Sequence, residues 1–205
     1  MQDNYPPVVV VLAAGAGRRF QAEGGSGSKL NADLLGRPVL EWTLDAVRAS
    51  GLPWVLVERP EQGAEHMGMG DSIARGVAQS SQASGWLILP GDMPLMQASS
   101  LTRVAQSLQA FSVAQPHTVV RPELMVNEQA RPGHPVGFGS AWKSELLALT
   151  GDTGAIGLVR RAAREGWLEC LAGHDVGCIQ DVDRPADIAL AASRMCGLNS
   201  DSYKT

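Results

Sequence analysis

Cysteine is scarce in this 205-residue chain: Cys170, Cys178 and Cys196 are an odd set without Cys-x-x-Cys spacing. That argues against a disulfide framework or a cysteine-held zinc site and reads as thiols in a reducing compartment. Long apolar runs are missing as well. The run Val8 to Ala14 is too short for a signal sequence and follows no positively charged segment, and no stretch approaches the ~20 apolar residues that span a bilayer. The expectation is a cytoplasmic protein with no membrane partner. Nor is there an excess of positive charge. A net charge of −4 argues against a nucleic-acid surface, which would carry a basic stripe. It leaves a nucleotide substrate open, because a few placed cations and a metal ion can handle one triphosphate.

Hydrophobic residues make up 44% and charged residues 19% of the chain, the balance of a folded globular protein. One domain over residues 1–196 is expected, with 197–205 as a disordered tail. Val8 to Leu12 is an unbroken β-branched run, as in a strand buried on both faces. Further strands are predicted at Trp54–Val57, Trp86–Leu89, Thr118–Val120, Leu168–Leu171 and Ile179–Asp181. Helices are predicted at Pro38–Ala49, Asp71–Gln79 with Asp71 as its cap, Ala98–Ala110, Ser140–Leu149, Ala155–Glu165 and Pro185–Met195. Residues Pro122 to Phe138 hold three prolines and read as a hairpin-like excursion. The five tryptophans are expected in the core. Alternating strand and helix implies a three-layer α/β fold with a mostly parallel central sheet and ligands beyond the carboxyl ends of its strands.

That rule selects the loops after Leu12 and after Leu89. The first is Leu12-Ala13-Ala14-Gly15-Ala16-Gly17-Arg18-Arg19, where glycines let backbone N–H groups approach an anion and two arginines add permanent charge. It is not a dinucleotide fingerprint, because Phe20 stands where a third glycine is needed. It is not a P-loop either, because the chain reads Ser28-Lys29-Leu30. Lys29 is one of only three lysines among 17 basic residues, and it ends a glycine-rich loop where a flexible point charge can reach a phosphate. A solvated loop with incidental charges is the alternative. The second loop, Pro90-Gly91-Asp92-Met93-Pro94, places a single carboxylate where it can hold Mg²⁺, or else cap the turn. Asp183, and less so Asp181, could add a second metal carboxylate or cap the helix that Pro185 begins; Asp187 suits that helix's dipole. Arg131 and His134 could face an anion, Asp152 could line the second substrate's site, and Gly68 to Ser72 could offer backbone to a base. Each is equally an ordinary turn or cap.

The order of these motifs resembles the molybdenum cofactor cytidylyltransferase family, over about residues 8 to 192. They are Leu-Ala-Ala-Gly-x-Gly-x-Arg with Lys29, Gly-Met-Gly-x-Ser at 68–72, Gly-Asp-Met-Pro at 91–94, Gly-His-Pro-Val at 133–136, Gly-Asp-x-Gly-Ala at 151–155 and Asp-Val-Asp-x-Pro-x-Asp at 181–187. The chain also looks like the wider group of Rossmann-like sugar and cofactor nucleotidyltransferases. The resemblance implies Gly15, Gly17, Arg19 and Lys29 around the triphosphate, Mg²⁺ on Asp92 and Asp183, and CTP over GTP through Ala13 and Ala14. It further implies a phosphorylated acceptor such as molybdopterin, with a molybdoenzyme or its chaperone as a candidate partner. Three departures stand out: a long gap from Arg19 to Lys29, Ile156 where an arginine is usual, and room for no extra βα unit between Val57 and Gly68. They leave a non-catalytic nucleotide-binding accessory protein, or a sugar-phosphate or GTP-using nucleotidyltransferase, as alternatives.

Overall fold

The computed structural model describes residues 5–15, 17–60, 67–111 and 114–201, with side chains described as far as residue 197. Strand β1 (Val8–Ala13) pairs in parallel with β4 (Trp54–Glu58) on one side and β5 (Gly85–Pro90) on the other. Beyond β5 come β8 (Val136–Gly139), β6 (Val119–Val126) and β7 (Gln129–Pro132), and β9 (Leu168–Ala172) pairs with β6. Pairings β5–β8, β8–β6 and β6–β7 are antiparallel and β6–β9 is parallel. Strands β8 and β7 therefore run against the other five of the seven-stranded sheet. A two-stranded ribbon, β2 (Asp33–Leu34) with β3 (Arg37–Pro38), stands apart.

The buried β-branched run of β1 alternates between two cores, which makes the fold three layers. Val9 and Val11 face one cluster, with Leu87 and Leu89 of β5, Leu44 and Val47 of α2 (Val39–Ala49), and Leu101, Val104 and Leu108 of α4 (Ala98–Phe111). Val10 faces the other, with Trp86, Ile88 and Phe138, Ile73 and Val77 of α3 (Met69–Gln79), Leu146 of α5 (Lys143–Leu147) and Val159 of α6 (Ile156–Arg164). A third cluster joins Phe20 of the short helix α1 (Arg18–Ala22) to Leu34, Val182 and Ala191 of α7 (Pro185–Asp201). The chain leaves β1 through α2 on one face and reaches β5 through α3 on the other. The carboxyl ends of β1 and β5 thus form the crevice where such sheets bind ligands.

Several predicted elements change. Ile179–Asp181 is not a strand: the segment follows a 3₁₀ turn at Val176–Cys178, and the residues on either side of it bond to two separate loops. Val182 N–H donates to the Asp92 carbonyl (2.9 Å), and the Cys178 carbonyl accepts from His134 N–H (2.7 Å). The expected helix from Ser140 splits into a 3₁₀ turn, Ser140–Trp142, and α5. The excursion from Pro122 is the β6–β7 hairpin, turned at Asn127 and Glu128, both at positive φ (49° and 63°), as a tight primed turn requires. Trp86 and Trp142 are fully buried, but Trp54 is 37% exposed at the start of β4. Helix α7 continues to Asp201, into the segment expected as a tail; residues 202–205 lie outside the described residues. No helix among the described residues is long and apolar enough to cross a membrane.

Candidate active site

A cavity of about 400 Å³ opens at the carboxyl ends of β1, β4 and β5. Leu12, Ala14, Gly15, Gly17, Arg18 and Arg19 form its centre, Asp92 and Asp183 lie on the β5 side, and Arg59, Gly68, Met69, Ser72 and Asp152 lie on the β4 side. Gly17 adopts a left-handed conformation (φ 61°) as the N-cap of α1, so a short helix follows the glycine loop directly. Gly15 faces open space, which leaves its backbone free for an approaching anion. Ala16 lies outside the described residues, and Ala13 remains within β1.

The long loop folds back on itself. Gln21 Nε2 donates to the Gly27 carbonyl (3.0 Å), and Ser28 Oγ caps the 3₁₀ turn Lys29–Asn31 by accepting from Leu30 N–H (3.3 Å). Lys29 is thereby delivered beneath Gly17, whose Cα carries an open direction ending 3.6 Å from the Lys29 Cγ. Lys29 Nζ contacts Asp92 Oδ2 at 2.5 Å and donates to Asp183 Oδ1 at 2.9 Å, while Arg19 Nη1 donates to Asp183 Oδ2 at 2.5 Å. Burial works against the Lys29 charge, but the Asp92 and Asp183 carboxylates outweigh it and hold the ammonium pKa above its ordinary value. The same hydrogen bond from Lys29, followed by that from Arg19, holds the Asp183 carboxyl below the usual range.

The residue before Asp92 is held at both of its backbone groups. Gly91 N–H donates to the Leu12 carbonyl (2.9 Å), and Thr43 Oγ1 donates to the Gly91 carbonyl (3.0 Å). A side chain at Gly91 would press on Leu40 Cδ1 and Leu12 O at 2.9 and 3.0 Å, so Gly91 serves the close approach of the two loops and does not line the cavity. Val182 N–H on the Asp92 carbonyl brings in Asp181 and Asp183. Carboxylate oxygens of Asp92, Asp181 and Asp183 lie within 4.8 Å of one another. Burial, then the nearby Asp92, pushes the Asp181 carboxyl upward. Asp92 Oδ1 is buried with no hydrogen-bond partner among the described residues. An orphaned carboxylate oxygen beside two more carboxylates is the all-oxygen donor set that suits a hard divalent cation such as Mg²⁺ or Mn²⁺. Asp183 does not cap α7; Asp187 does so, accepting from the N–H groups of Asp183 (2.9 Å) and Arg184 (2.7 Å).

On the β4 side, α3 begins earlier than expected, at Met69, so Asp71 caps it from the first turn and not from the N-cap position, which Gly68 takes. Asp71 Oδ2 accepts from Gly68 N–H (2.9 Å) and Gly151 N–H (3.1 Å), fastening two cavity loops together. The 151–155 segment therefore lies beside Gly68–Ser72, and Asp152 reaches the cavity from there. Arg131 and His134 do not line it. Arg131 lies on β7, exposed along its whole length. Burial pushes the His134 imidazole below its ordinary value, which keeps it neutral and unsuited to pairing with an anion. Arg59 escaped the sequence reading. Its Nε and Nη2 donate to the Ala14 carbonyl (3.3 and 3.2 Å) at the cavity wall; the only available signal was an arginine just past a strand's carboxyl end.

The family model described as the MobA-like NTP transferase domain matches residues 9–166. No curated protein sequence matches the chain significantly. Among solved structures, Rv0371c of Mycobacterium tuberculosis superposes with a TM-score of 0.69 at 23% identity, covering 92% of this chain and 98% of the other. The same protein in complex with manganese gives 0.63 at 22% identity, covering 92% and 98%. A nucleotidyl transferase of Methanothermobacter, Mth528, gives 0.72 at 21% identity, covering 94% and 99%. The 4-diphosphocytidyl-2C-methyl-D-erythritol synthase of Anaerococcus prevotii gives 0.69 at 17% identity, covering 94% and 97%. At these identities the likeness is one of fold.

Proposed function

The chain belongs to the MobA-like NTP transferase family, and from that premise we propose that it transfers a nucleoside monophosphate, CMP in preference, from a triphosphate to a phosphorylated acceptor. The observation that carries this reading is the meeting, in one cavity, of an open glycine loop with Arg18, Arg19 and Lys29 and of a carboxylate cluster with an orphaned oxygen. An acceptor phosphate oxygen bonds to the α-phosphorus as the bond to the β-phosphate's bridging oxygen breaks, and pyrophosphate leaves with that electron pair. Both reactants are ionised at neutral pH, so the demand on the protein is positioning and charge compensation, and no general base is needed.

The backbone at Gly15 and Gly17 with Arg18 and Arg19 would receive the triphosphate, and Lys29 would balance the charge that collects on the departing pyrophosphate. Asp92, Asp183 and Asp181 would hold Mg²⁺. That ion would offset charge on the α-phosphate when bound. Gly68 and Ser72 would meet the nucleoside and Asp152 the acceptor, and the form Leu12-Ala13-Ala14-Gly15, in place of Leu-Ala-Gly-Gly, favours cytosine through the family resemblance. The proposed acceptor is a pterin phosphate of the molybdopterin type, delivered to a molybdoenzyme or its chaperone in the cytoplasm. An acceptor of other chemistry, such as a sugar phosphate, is the second reading. It is favoured by Ile156, which stands 49% exposed at the head of α6 where a cation is expected.

The test is pyrophosphate release with each of the four nucleoside triphosphates and Mg²⁺, against both acceptor classes. CTP with one acceptor should turn over, and Asp92→Asn should lose about 100-fold or more in rate while melting as a folded protein. Release by Asp92→Asn at the wild-type rate would remove Asp92 from the metal. Nucleotide binding with no release for any acceptor would support the accessory protein.

A further inference from the structure

The carboxylate cluster is already occupied by the protein's own cations. Lys29 Nζ bridges Asp92 Oδ2 (2.5 Å) and Asp183 Oδ1 (2.9 Å), and Arg19 holds Asp183 Oδ2 (2.5 Å). Three of the four oxygens of Asp92 and Asp183 are taken in this way; the fourth, Asp92 Oδ1, is the buried orphan. A divalent ion joining these carboxylates would meet the Lys29 ammonium on the same oxygens, within the few ångströms where like charges in a partly desolvated site repel strongly. Arg19 is 76% exposed and can turn away into water, whereas the Lys29 side chain is only 13% exposed. Its stem lies under Gly17, and it belongs to a 3₁₀ turn that Ser28 caps through Leu30 N–H. The Lys29 ammonium therefore has to find its next partner inside the cavity, where the glycine loop lies over its own stem.

We propose that Lys29 is a resident counter-ion that holds the metal carboxylates in the free protein, and that it yields them only when a triphosphate arrives to receive its charge. Metal and nucleotide then enter together: the triphosphate draws Lys29 off Asp92 and Asp183, and the exposed oxygens take the divalent ion. The free protein is correspondingly poor at binding the metal alone, and each ligand raises the affinity of the other by the same factor. This rests on the nucleotidyltransferase reading for the identity of the second ligand, but the competition between Lys29 and the metal stands on the ion pairs alone.

The experiment is equilibrium dialysis with Mn²⁺ as the probe, on wild type and Lys29→Met, with and without CTP on both sides of the membrane. Wild type should bind Mn²⁺ roughly tenfold or more weakly without CTP than with it, and Lys29→Met should bind Mn²⁺ alone about tenfold more tightly than wild type does. Its gain from adding CTP should be correspondingly smaller. Lys29→Met binding Mn²⁺ no more tightly than wild type would overturn the proposal. Wild type binding CTP while its Mn²⁺ affinity stays unchanged would overturn it as well, and that measurement holds even if the variant fails to fold. If no nucleoside triphosphate binds, the enzymatic reading falls, whereas the comparison of Mn²⁺ alone still decides the role of Lys29.

Discussion

Replacing Gly68 with alanine places a methyl group 2.2 Å from both the carbonyl carbon and the oxygen of Gly151 and 2.7 Å from Asp152 N. All three are backbone atoms and cannot rotate aside. Gly68 itself has ordinary extended backbone (φ −82°, ψ 179°), so the penalty comes from contact and not from torsional strain. Relieving it requires the 151–152 loop to retreat by about an ångström, which stretches the two bonds that Asp71 Oδ2 accepts from Gly68 and Gly151. Overpacking costs about 1–3 kcal/mol and each weakened hydrogen bond about 1 kcal/mol, against a gain of about 0.5 kcal/mol from a stiffer unfolded chain. The net is roughly 2.5–4.5 kcal/mol, or a fall of about 5–18 °C in Tm for a protein of this size. Gly157→Ala is the matched control. It lies within α6 with nothing within 4 Å of the added carbon and no positive φ, and it should raise stability by about 0.5–1 kcal/mol. Thermal and urea melts of both variants decide the matter. A Gly68→Ala protein that melts with or above wild type would refute the close packing of the two loops, and with it the placement of Asp152 at the cavity.

Arg59→Ala removes two hydrogen bonds to the Ala14 carbonyl and a cation from the cavity wall. Titration calorimetry should show nucleotide affinity reduced by roughly tenfold, with Tm lowered by only a few degrees through the lost bonds to Ala14; unchanged affinity would exclude Arg59 from the site. His134 has its pKa pushed below the ordinary 6.5 by burial, so its contribution to stability is present above that value. As pH falls through it, the unfolded chain takes up a proton that the folded chain declines, and that stability is lost. His134→Gln should therefore flatten the fall in Tm between about pH 7 and 5; an equally steep fall would show that His134 titrates freely.

Much of the architecture was legible because its signals are local. The run Val8 to Leu12 could only be a strand covered on both faces, and Gly15, Gly17 and Asp92 announced the two loops at its carboxyl edge by composition alone. Elements whose backbone partners come from distant loops were misread. Ile179–Asp181 has strand-like composition, yet its neighbour Val182 bonds to the Asp92 carbonyl and the segment joins no ladder. Asp71 does cap its helix, but from the first turn: the helix starts at Met69, with Gly68 as the N-cap, two residues before the acidic residue that marks a start in the sequence.

The glycine loop, the lone lysine after it and the carboxylates at 92 and 183 were determined by the sequence itself, because residue type and position relative to a strand already limit what such groups can do. Only the tertiary structure decided what they do to one another. Lys29 and Asp183 are 154 residues apart and meet at 2.9 Å, His134 and Arg131 fall away from the cavity, and Arg59 enters it. Chain order carries no record of these meetings. They arise when α1, the 28–31 turn and the 181–183 loop converge over one sheet edge, and burial there sets which charges must find partners.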